Sequence, residues 1–587
     1  MLITLLFTLS HATTFYNFTT EEEKDSLILK NFEGRYSPRF VNDHLELLRG
    51  IVASNQSNAV IFPDIINDKA EIEHYFFSLY ITPGAEGAGI ALVNVESAKN
   101  ANITLTIGDT EETNEIAKFV HSLSWESPNL SGSFGLGIDV HNPQTSHIFD
   151  KWGNFYGREE REISLHWDGK EIFKMMSPVE FRADPMDGGT KNFDLTIQYV
   201  TAGALITLAI EDTIIIDKYF IPEMTQYVKQ PVFGATTGEL TTTVILDSFA
   251  FLTEGYAPEF SHIESFILIE DEVFHSQQQT IEIDVFFPEI TEQADKVIMT
   301  LYLTGPEGGV SDWDVGASIY LIDRTDDLRS SHRTDDLRSS HSTDGVSPSI
   351  WRSEIADTIK TEILRYITPY RRPYTWKVDV SHFIPVFTGE KQLRAHISTW
   401  EPVTDDPSEQ KGWKITAKLD FYKGYVDKKS FKVVNLWSGN FEYGDPENPM
   451  KDMLDDFYVP IPEEAISATL RIVTTGHGMN PNYENAAEFR PSDRWIHIND
   501  DTYHNLLWKT DNYLNPCRPQ DGTWKFDRAG WAPGDIVHAW EIDLDKYIND
   551  KVLQISYEPD DYVNYNRGDT WEPFHILEAQ VIFYQSP

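Results

Sequence analysis

The sequence predicts an all-β protein built of consecutive β-sandwich modules. Apolar and polar residues alternate with a period of two in many short runs, and residues 195–200, 281–285 and 319–322 are clear examples. Gly, Pro, Asn and Asp separate these runs at short intervals, as turns do between antiparallel strands. Helical periodicity is limited to residues 113–120 and 353–364. We therefore expect stacked sandwiches rather than alternating strands and helices.

Length and charge narrow the class of protein further. The chain has 587 residues, 41% of them hydrophobic, which allows real cores but is too long for one ordinary domain. Its 48 Lys and Arg residues against 93 Asp and Glu residues give a formal net charge of −45. This charge repels nucleic acid and anionic membrane surfaces, so we exclude both as partners. No apolar run is long enough for a membrane span. We also expect the protein to be a monomer.

The first residues are typical of an exported protein. Residues 2–9 are mostly apolar, and Ser10-His11-Ala12 follows with small residues at the positions that signal cleavage requires. We predict a signal peptide over residues 1–12 and a secreted, endomembrane or lysosomal location. Acceptor sequences for N-glycosylation begin at Asn17, Asn55, Asn102 and Asn129. Cys517 is the single cysteine, so no intrachain disulfide can form.

Shifts in composition divide the remaining chain into three modules. We place them at residues 13–252, 260–425 and 433–587, with polar or Pro-containing segments between them. Inside the second module, residues 324–332 are repeated without change as residues 333–341. A polar duplication of this kind is most simply an insertion in a hairpin loop.

The second and third modules contain short segments that resemble one family. The segments are 311–320 (SDWDVGASIY), 367–370 (ITPY), 398–400 (STW), 475–478 (TGHG), 487–489 (AEF) and 522–534 (GTWKFDRAGWAPG). In order and spacing they resemble the peptide:N-glycosidase F family over residues 260–587. The resemblance implies two jelly-roll domains side by side, with the active site at their interface.

Two acidic residues in these segments are candidate site residues on physical grounds as well. From Trp313 to Leu321 the odd positions are apolar and predict a core-facing side, whereas Asp314 starts the other side. Asp314 therefore lies either in a cleft or in a plain turn. Glu488 lies between a small and an aromatic residue, where burial would raise its pKa, unless it belongs to an exposed edge strand.

Two basic residues leave alternatives open. Arg528 either pairs with a carboxylate or closes a loop on its neighbour Asp527. His477 lies between two glycines, and either its side chain or only its backbone conformation explains the motif.

The resemblance implies hydrolysis of the amide between N-acetylglucosamine and an asparagine side chain, in N-glycosylated proteins or peptides. It assigns Asp314 as the principal catalytic acid or base and Glu488 as an assisting acid. Such an amide is inert, so water must be activated and the departing glycosylamine stabilised. No metal or other cofactor is implied. The expected substrate-binding residues are Trp313, Ser398, Trp400, His477, Arg528 and Trp531.

The chain also departs from the family pattern. The family's third acid corresponds to Ser398, which cannot carry a charge, and Glu401 is a poor substitute because it alternates to the opposite face. The family's arginine after the catalytic aspartate is Val315, and the cysteines around its catalytic loops are absent. A catalytically inactive, lectin-like glycoprotein-binding protein is therefore the alternative to an amide hydrolase.

The first module resembles L-type lectins and related concanavalin-like sandwiches. The segments that carry this resemblance are residues 134–142, 163–169, 232–238 and 245–249. Gly137 stands where legume lectins have a calcium-binding glutamate, and only Asp139 and Asn142 remain as ligands, whereas calcium needs about 6–8 oxygens. We predict the sandwich without its metal site, with a role in holding glycoprotein near the catalytic module.

A third reading, a copper-dependent monooxygenase of the same fold, is disfavoured by the histidine pattern. Copper sites of that kind need clustered histidine and methionine ligands. The 18 histidines include no His-His and no His-x-His pair.

Overall fold

The computed structural model describes residues 13–49, 55–67, 69–84, 87–107, 110–140, 148–149, 155–156, 161–183, 189–238, 242–323, 360–478, 486–565 and 572–587. Strands dominate these residues, which confirms the predicted all-β class. The predicted signal peptide, Asn142 and the duplication at 324–341 lie outside them. The main division into compact units falls between Glu259 and Phe260. No helix in the described parts of the chain is long and apolar enough to cross a membrane.

The first unit is a sandwich of two large antiparallel sheets. Its strands are β1 (Thr13–Tyr16), β2 (Ile28–Glu33), β3 (Arg39–Val41), β4 (His44–Leu48), β5 (Gln56–Ile61), β6 (Ile72–Ile81), β7 (Gly87–Asn94), β8 (Thr106–Ile107), β9 (Thr110–Glu111), β10 (Phe134–Asp139), β11 (Ile148–Phe149), β12 (Phe155–Tyr156), β13 (Glu162–Trp167), β14 (Lys170–Met176), β15 (Lys191–Val200), β16 (Gly203–Ile210), β17 (Thr213–Pro222), β18 (Lys229–Thr237) and β19 (Val244–Glu254). Its short helices are α1 (Glu21–Ser26), α2 (Val95–Asn100) and α3 (Glu115–Val120).

The two large sheets enclose the core of this unit. One sheet has the strand order β17-β16-β15-β6-β19-β4-β3, with β1 also paired to β19, and the other has the order β14-β13-β10-β7-β18-β5-β2. The side chains between them are buried and apolar, including Phe77, Leu136 and Phe193. Trp125 packs on the outer side of the second sheet, against Gly234, where a Cβ atom would lie 2.0 Å from the indole ring. The predicted sandwich is confirmed for this module.

The second unit contains two further sandwiches. The first consists of β20 (Ser261–Phe274), β21 (Thr280–Phe287), β22 (Lys296–Thr304), β23 (Gly316–Asp323), β24 (Lys360–Ile367), β25 (Tyr374–Asp379), β26 (Gly389–Ile397) and β27 (Trp413–Lys423). The second consists of β28 (Lys429–Glu442), β29 (Phe457–Pro460), β30 (Ser467–His477), β31 (Ser492–Ile498), β32 (Asp501–Leu507), β33 (Trp540–Asp543), β34 (Val552–Pro559) and β35 (Phe574–Gln585). Short 3₁₀ helices lie at Glu289–Gln293, Ser381–Val386, Pro407–Glu409, Met450–Met453, Asn512–Leu514 and Asp545–Tyr547.

Both sandwiches have the sheet pattern of a jelly roll. The first sandwich consists of one sheet with the strand order β20-β27-β22-β25 and one with the order β21-β26-β23-β24. The second consists of one sheet with the order β28-β35-β30-β33 and one with the order β29-β34-β31-β32. Two facing four-stranded antiparallel sheets are the jelly-roll arrangement. Each sandwich has its own apolar core. The two-jelly-roll architecture that the resemblance implies is thus present in one compact unit.

The two jelly rolls contact each other directly through backbone and side chains. The amide of Ile367 donates to the carbonyl of Asp535 at 2.9 Å, and the amide of Val537 donates to the carbonyl of Arg365 at 2.8 Å. Ile367, Val473, Trp531 and Val537 form a small apolar cluster beside these bonds. The junction therefore has its own ordered contacts, on which a site shared by the two sandwiches can be built.

Two sequence-based expectations for local structure are wrong in part. The helix expected at 353–364 is strand β24 from Lys360 onward, because its apolar residues pair in a sheet between two covered faces. Val315, Ala317, Ile319 and Leu321 do face the core, but Trp313 is 49% exposed. Strand β23 begins only at Gly316, so the alternation does not extend back to Trp313.

Candidate active site

Asp314 is fixed by the chain on both of its sides. The Thr368 hydroxyl donates to the carbonyl of Trp313 at 3.0 Å and accepts from the amide of Val315 at 2.9 Å. The Val315 side chain enters the core, and the Thr368 amide donates to the Val315 carbonyl at 3.0 Å. Asp314 is therefore held at the end of the sheet, with its side chain 12% exposed.

Glu488 is held by backbone hydrogen bonds to two neighbouring segments of the second jelly roll. Its amide donates to the carbonyl of Gly478 at 3.0 Å, and its carbonyl accepts from the amide of Ala529 at 2.9 Å. Gly476 permits this layering, because a Cβ atom there would lie 2.7 Å from both the Ala487 carbonyl oxygen and the Ala529 Cβ. The Gly-rich segment at 475–478 thus brings the backbone of Glu488 beside Arg528.

Arg528 joins the two acids. Its guanidinium group is 1% exposed, with Nη2 3.5 Å from Asp314 Oδ2 and Nε 3.3 Å from Glu488 Oε1. Its remaining N–H groups donate to the carbonyls of Thr523 and Phe526 at 2.9 and 3.1 Å, and to Thr523 Oγ1 at 2.9 Å. Of the two open interpretations of Arg528, the structure shows the pairing with carboxylates. A buried cation thus lies between one acid from each jelly roll.

Burial raises the pKa of both carboxyl groups. Burial raises the pKa of Asp314 above its ordinary value, against the lowering effects of Arg528 and of a hydrogen bond from Tyr370. Burial also raises the pKa of Glu488 to about 7; the charge of Asp314 adds to this effect, and Arg528 opposes it. Two neighbouring buried acids with raised pKa values, held by one arginine, are typical of sites where carboxyl groups transfer protons.

Tyr370 is a site residue that the sequence reasoning did not single out, although it lies in the quoted segment 367–370. Its hydroxyl bonds to Asp314 and lies 3.1 Å from Thr523 Oγ1. Burial and the charge of Asp314 raise the Tyr370 pKa to about 12, so the hydroxyl stays protonated. Gly522, at φ +71°, lies against the ring, where a Cβ atom would be 2.7 Å from the nearest ring carbon. The resemblance in segment 367–370 was the available signal.

Trp531 packs against Arg528, and His477 packs against Trp531. The Trp531 ring is 4.7 Å from the guanidinium carbon and stacks on His477 with centroids 5.4 Å apart. Trp531 Nε1 donates to the Gly476 carbonyl at 2.8 Å, and His477 Nε2 is 2.8 Å from Thr475 Oγ1. Burial lowers the His477 pKa to about 3, so the ring is neutral. Trp531 is only 4% exposed and packs directly on the guanidinium group, whereas His477 contacts Trp531.

Trp313 and Trp400 form an exposed aromatic pair at the same end of the first jelly roll. They are 49% and 56% exposed, and their ring centroids are 6.0 Å apart at an interplanar angle of 47°. Trp313 directly precedes Asp314, so the pair lies beside the carboxyl cluster. Large exposed aromatic faces of this kind suit the apolar faces of sugar rings.

Ser398 and Glu401 have separate roles in the structure. The Ser398 amide donates to the carbonyl of Gly316 at 3.0 Å, and its side chain is exposed. Glu401 is 9% exposed and accepts from the Ser311 hydroxyl at 2.7 Å and from the Asp312 amide at 3.3 Å. Glu401 therefore anchors the loop that leads into Trp313 and Asp314, and it is engaged there rather than replacing an acid at position 398.

Within the described ranges, no group of three or more His, Cys, Asp or Glu side chains is placed to hold a metal ion. In the first module, Asp139 lies opposite Glu162 in the sheet register, and Glu162 pairs with a lysine, Lys174.

Part of the second unit is similar to a known family. Residues 449–571 match the family model described as Peptide-N-glycosidase F, C terminal. This segment contains Glu488 and Arg528. The recognition made from the sequence is confirmed: the chain is related to the peptide:N-glycosidase F family.

Particular relatives can then be named. A curated relative is the peptide-N(4)-(N-acetyl-beta-D-glucosaminyl)asparagine amidase F of Elizabethkingia miricola, 26% identical over 234 residues. The match covers 38% of this chain and 63% of that protein, so it spans less than two thirds of the relative. The structure of PNGase F, a glycosylasparaginase from Flavobacterium meningosepticum, aligns at 19% identity with a TM-score of 0.41, over 56% of this chain and 97% of that one. Lectin II from Ulex europaeus aligns at 12% identity with a TM-score of 0.28, over 42% of this chain and 99% of that one.

Proposed function

We propose that this protein is a peptide-N4-(N-acetyl-beta-glucosaminyl)asparagine amidase that releases N-linked glycans from glycoproteins. The observation that supports it best is the buried Arg528 between Asp314 and Glu488, at 3.5 and 3.3 Å. One carboxyl comes from each jelly roll, and both have raised pKa values. The amidase activity of the E. miricola relative agrees with this chemistry.

The chemistry divides between the two acids. Asp314, whose ionised form is favoured by Arg528 and Tyr370 against the effect of burial, accepts a proton from water as the water oxygen bonds to the asparagine side-chain carbonyl carbon. Glu488, protonated in part near neutral pH because its pKa is about 7, gives its proton to the nitrogen as the C–N bond breaks. The products are a glycosylamine and a peptide with aspartate in place of asparagine. The proton on Asp314 then leaves to solvent, and Glu488 is reprotonated.

The surrounding residues serve to bind the substrate. The exposed Trp313 and Trp400 pair offers aromatic faces to the sugars next to the scissile amide. Arg528, whose N–H groups bond the two carboxyls and its own loop, places a buried positive charge near the reacting oxygen. No step requires a metal or another cofactor.

The first module and the location complete the proposal. The lectin-like sandwich holds N-glycosylated proteins on the same chain as the catalytic module and so raises their effective concentration. The sequon residues Asn55, Asn102 and Asn129 are exposed, as glycosylation in a secreted, endomembrane or lysosomal compartment requires. We propose a monomer that acts there on glycoproteins.

The test is incubation of the full chain with a denatured high-mannose glycopeptide, followed by mass spectrometry of the peptide. We expect conversion of asparagine to aspartate by the wild type and none by Asp314→Asn. Equal inactivity of the two proteins, with the glycopeptide still bound, would establish the alternative function. That alternative, a catalytically silent glycoprotein binder, is favoured by one observation: an uncharged Ser398 at the position of the family's third acid.

A further inference from the structure

Ser398 is part of a chain of hydrogen bonds on the surface of the first jelly roll. Its Oγ lies 2.9 Å from His396 Nε2, and His396 Nδ1 lies 2.8 Å from Thr280 Oγ1. The sheet register accounts for this order, because β26 lies between β21 and β23 and places His396 opposite both Thr280 and Ser318. Both imidazole nitrogens of His396 therefore take part in hydrogen bonds.

This chain lies next to the catalytic carboxyls. The Ser398 amide bonds to the carbonyl of Gly316, two residues beyond Asp314 on the neighbouring strand. Two residues of extended chain span about 7 Å. Gly316 leaves open space in front of Ser398, since a Cβ atom there would meet nothing within 4 Å. A ligand group that reaches Asp314 therefore has room to contact the Ser398 hydroxyl.

Ser398 differs from an acidic residue at the same position because its hydroxyl carries no charge. Burial lowers the pKa of His396, and the nearby cations Lys360 and Arg394 act in the same direction. A neutral imidazole carries one N–H group, so in either tautomer it donates to one hydroxyl and accepts from the other. The Ser398 hydroxyl accordingly keeps either a lone pair or a proton for a ligand, whereas a carboxylate can only accept.

The adjoining surface is polar. Thr280 lines an open groove with Ser276, Gln277, Gln278 and Gln279, and Glu272 and Glu282 line the same groove. The Ser276 amide donates to the carbonyl of Glu401 at 2.9 Å, which links this groove to the residue after Trp400. Amide and hydroxyl side chains of this kind match the hydroxyl groups of a neutral glycan.

We propose that Ser398, His396 and Thr280 form a subsite that binds a hydroxyl group of a neutral sugar, with His396 as a positioning residue that acts through Ser398. This inference rests on the proposed function for the identity of the ligand. It implies that the chain has replaced a charged contact with a neutral one rather than lost the contact.

A double-mutant cycle on glycan binding tests this subsite. The ligand is a glycopeptide carrying asparagine-linked N,N′-diacetylchitobiose, and its affinity is measured by calorimetry on the full chain carrying Asp314→Asn, so that turnover does not consume it. We expect Ser398→Ala and His396→Phe each to weaken binding roughly 3- to 10-fold, the effect of about one hydrogen bond. The double variant should bind no more weakly than Ser398→Ala alone, and His396→Gln should restore much of the affinity. The control His497→Phe, which removes an exposed pair with Glu558, should leave binding unchanged.

The outcomes separate this inference from the proposed function. An equal effect of His396→Phe with and without Ser398→Ala, or no binding of the glycopeptide, overturns the subsite. Hydrolysis by the wild type is measured on the same glycopeptide. If the effects of the two substitutions on binding are coupled but the wild type does not hydrolyse the glycopeptide, the subsite is supported and the amidase function is contradicted. If the wild type hydrolyses the glycopeptide but the two effects are independent, the amidase function is supported and the subsite is contradicted.

Discussion

Arg528 is the residue on which the geometry of both acids depends. Five N–H groups in a fixed plane allow it to contact two carboxyls while bonding the backbone of its own loop. A lysine offers one charge centre and cannot span these partners. The Trp531 ring, whose centroid lies 4.7 Å from the guanidinium carbon, packs on the guanidinium group and fixes its plane.

Replacing Arg528 should therefore damage catalysis more than stability. We expect Arg528→Lys to reduce kcat/KM on a glycopeptide roughly 10²–10⁴-fold, because both carboxyls lose their alignment. Steady-state kinetics measures this, with Arg39→Lys, an exposed pair with Glu46, as the control. A variant within threefold of the wild type would show that Arg528 is only structural.

The pH dependence of the rate should report the two acids separately. Asp314 must be deprotonated and Glu488 protonated, so the rate should fall on the acid side as Asp314 gains a proton and on the alkaline side above a pH of about 7. In Glu488→Gln the alkaline limb should disappear from a much slower profile. Persistence of that limb in the variant would assign it to another group.

Sequence reasoning at this scale found the two acids and the arginine between them, and missed other residues that contact the site. Asp314, Glu488 and Arg528 were found because they lie in segments that resemble a known family. Tyr370 contacts Asp314, and His396 links Thr280 to Ser398, through strand register and chain crossing, and no spacing along the sequence reports such contacts. The exposure of Trp313 was missed because alternation cannot show where a strand begins.

At the scale of elements, loops tightened by glycine hold the site together. Gly522 has φ +71° and lies against the Tyr370 ring, which in turn bonds to Asp314. The same loop supplies Thr523, which bonds to both Tyr370 and Arg528. One backbone position therefore affects two contacts of Asp314.

Gly522→Ala should separate a loop effect from simple backbone strain. A Cβ atom there would displace Tyr370, and we expect activity to fall roughly 10- to 100-fold with a stability loss of about 1 kcal/mol. Gly389→Ala is the matched control, because Gly389 also has a positive φ of +60° but open space around its Cβ position. Kinetics and thermal unfolding of both variants measure the difference. Equal losses of activity would refute a specific displacement of Tyr370.

The alternating pattern predicted strands well where one face is exposed and poorly where both are covered. The register of β23 confirms its core side, yet Tyr320 on its other side is also buried, beneath the second jelly roll. In β24 every residue after Lys360 is buried, so no alternation was left to distinguish a strand from a helix.

At the scale of the whole second unit, the two jelly rolls meet across buried charge. Arg365 donates to Glu362 within its own sandwich and to the carbonyl of Ile576 in the other at 2.8 Å. Glu578, from the second sandwich, accepts from Ser438 at 2.8 Å and lies 3.5 Å from the Tyr320 hydroxyl. Buried polar groups of this kind fix the relative position of two surfaces at a cost in desolvation.

This junction predicts a pH-dependent stability. Burial, followed by the charge of Glu362, raises the pKa of Glu578 to about 7, well above its ordinary value of 4.5. The folded protein therefore holds a proton that the unfolded chain releases between these values, and the free energy of unfolding falls as the pH rises through that window. Glu578→Gln should remove on the order of 1–3 kcal/mol of the loss between pH 5 and pH 8. Thermal unfolding of the full chain at pH 5 and 8 measures it, with the exposed Glu463→Gln as control. An unchanged pH dependence in Glu578→Gln would show that another group is responsible.

Hydrolysis of the glycopeptide in ¹⁸O-labelled water tests the central claim most directly. If Asp314 and Glu488 direct water to the asparagine side-chain carbonyl carbon, one heavy oxygen will enter the peptide as part of a new aspartate, and the glycan will leave as a glycosylamine. The label will be absent when Asp314→Asn replaces the wild type. A peptide that keeps its glycosylated asparagine, or a heavy oxygen found on the sugar beside an unchanged asparagine, would contradict the amidase that this site supports.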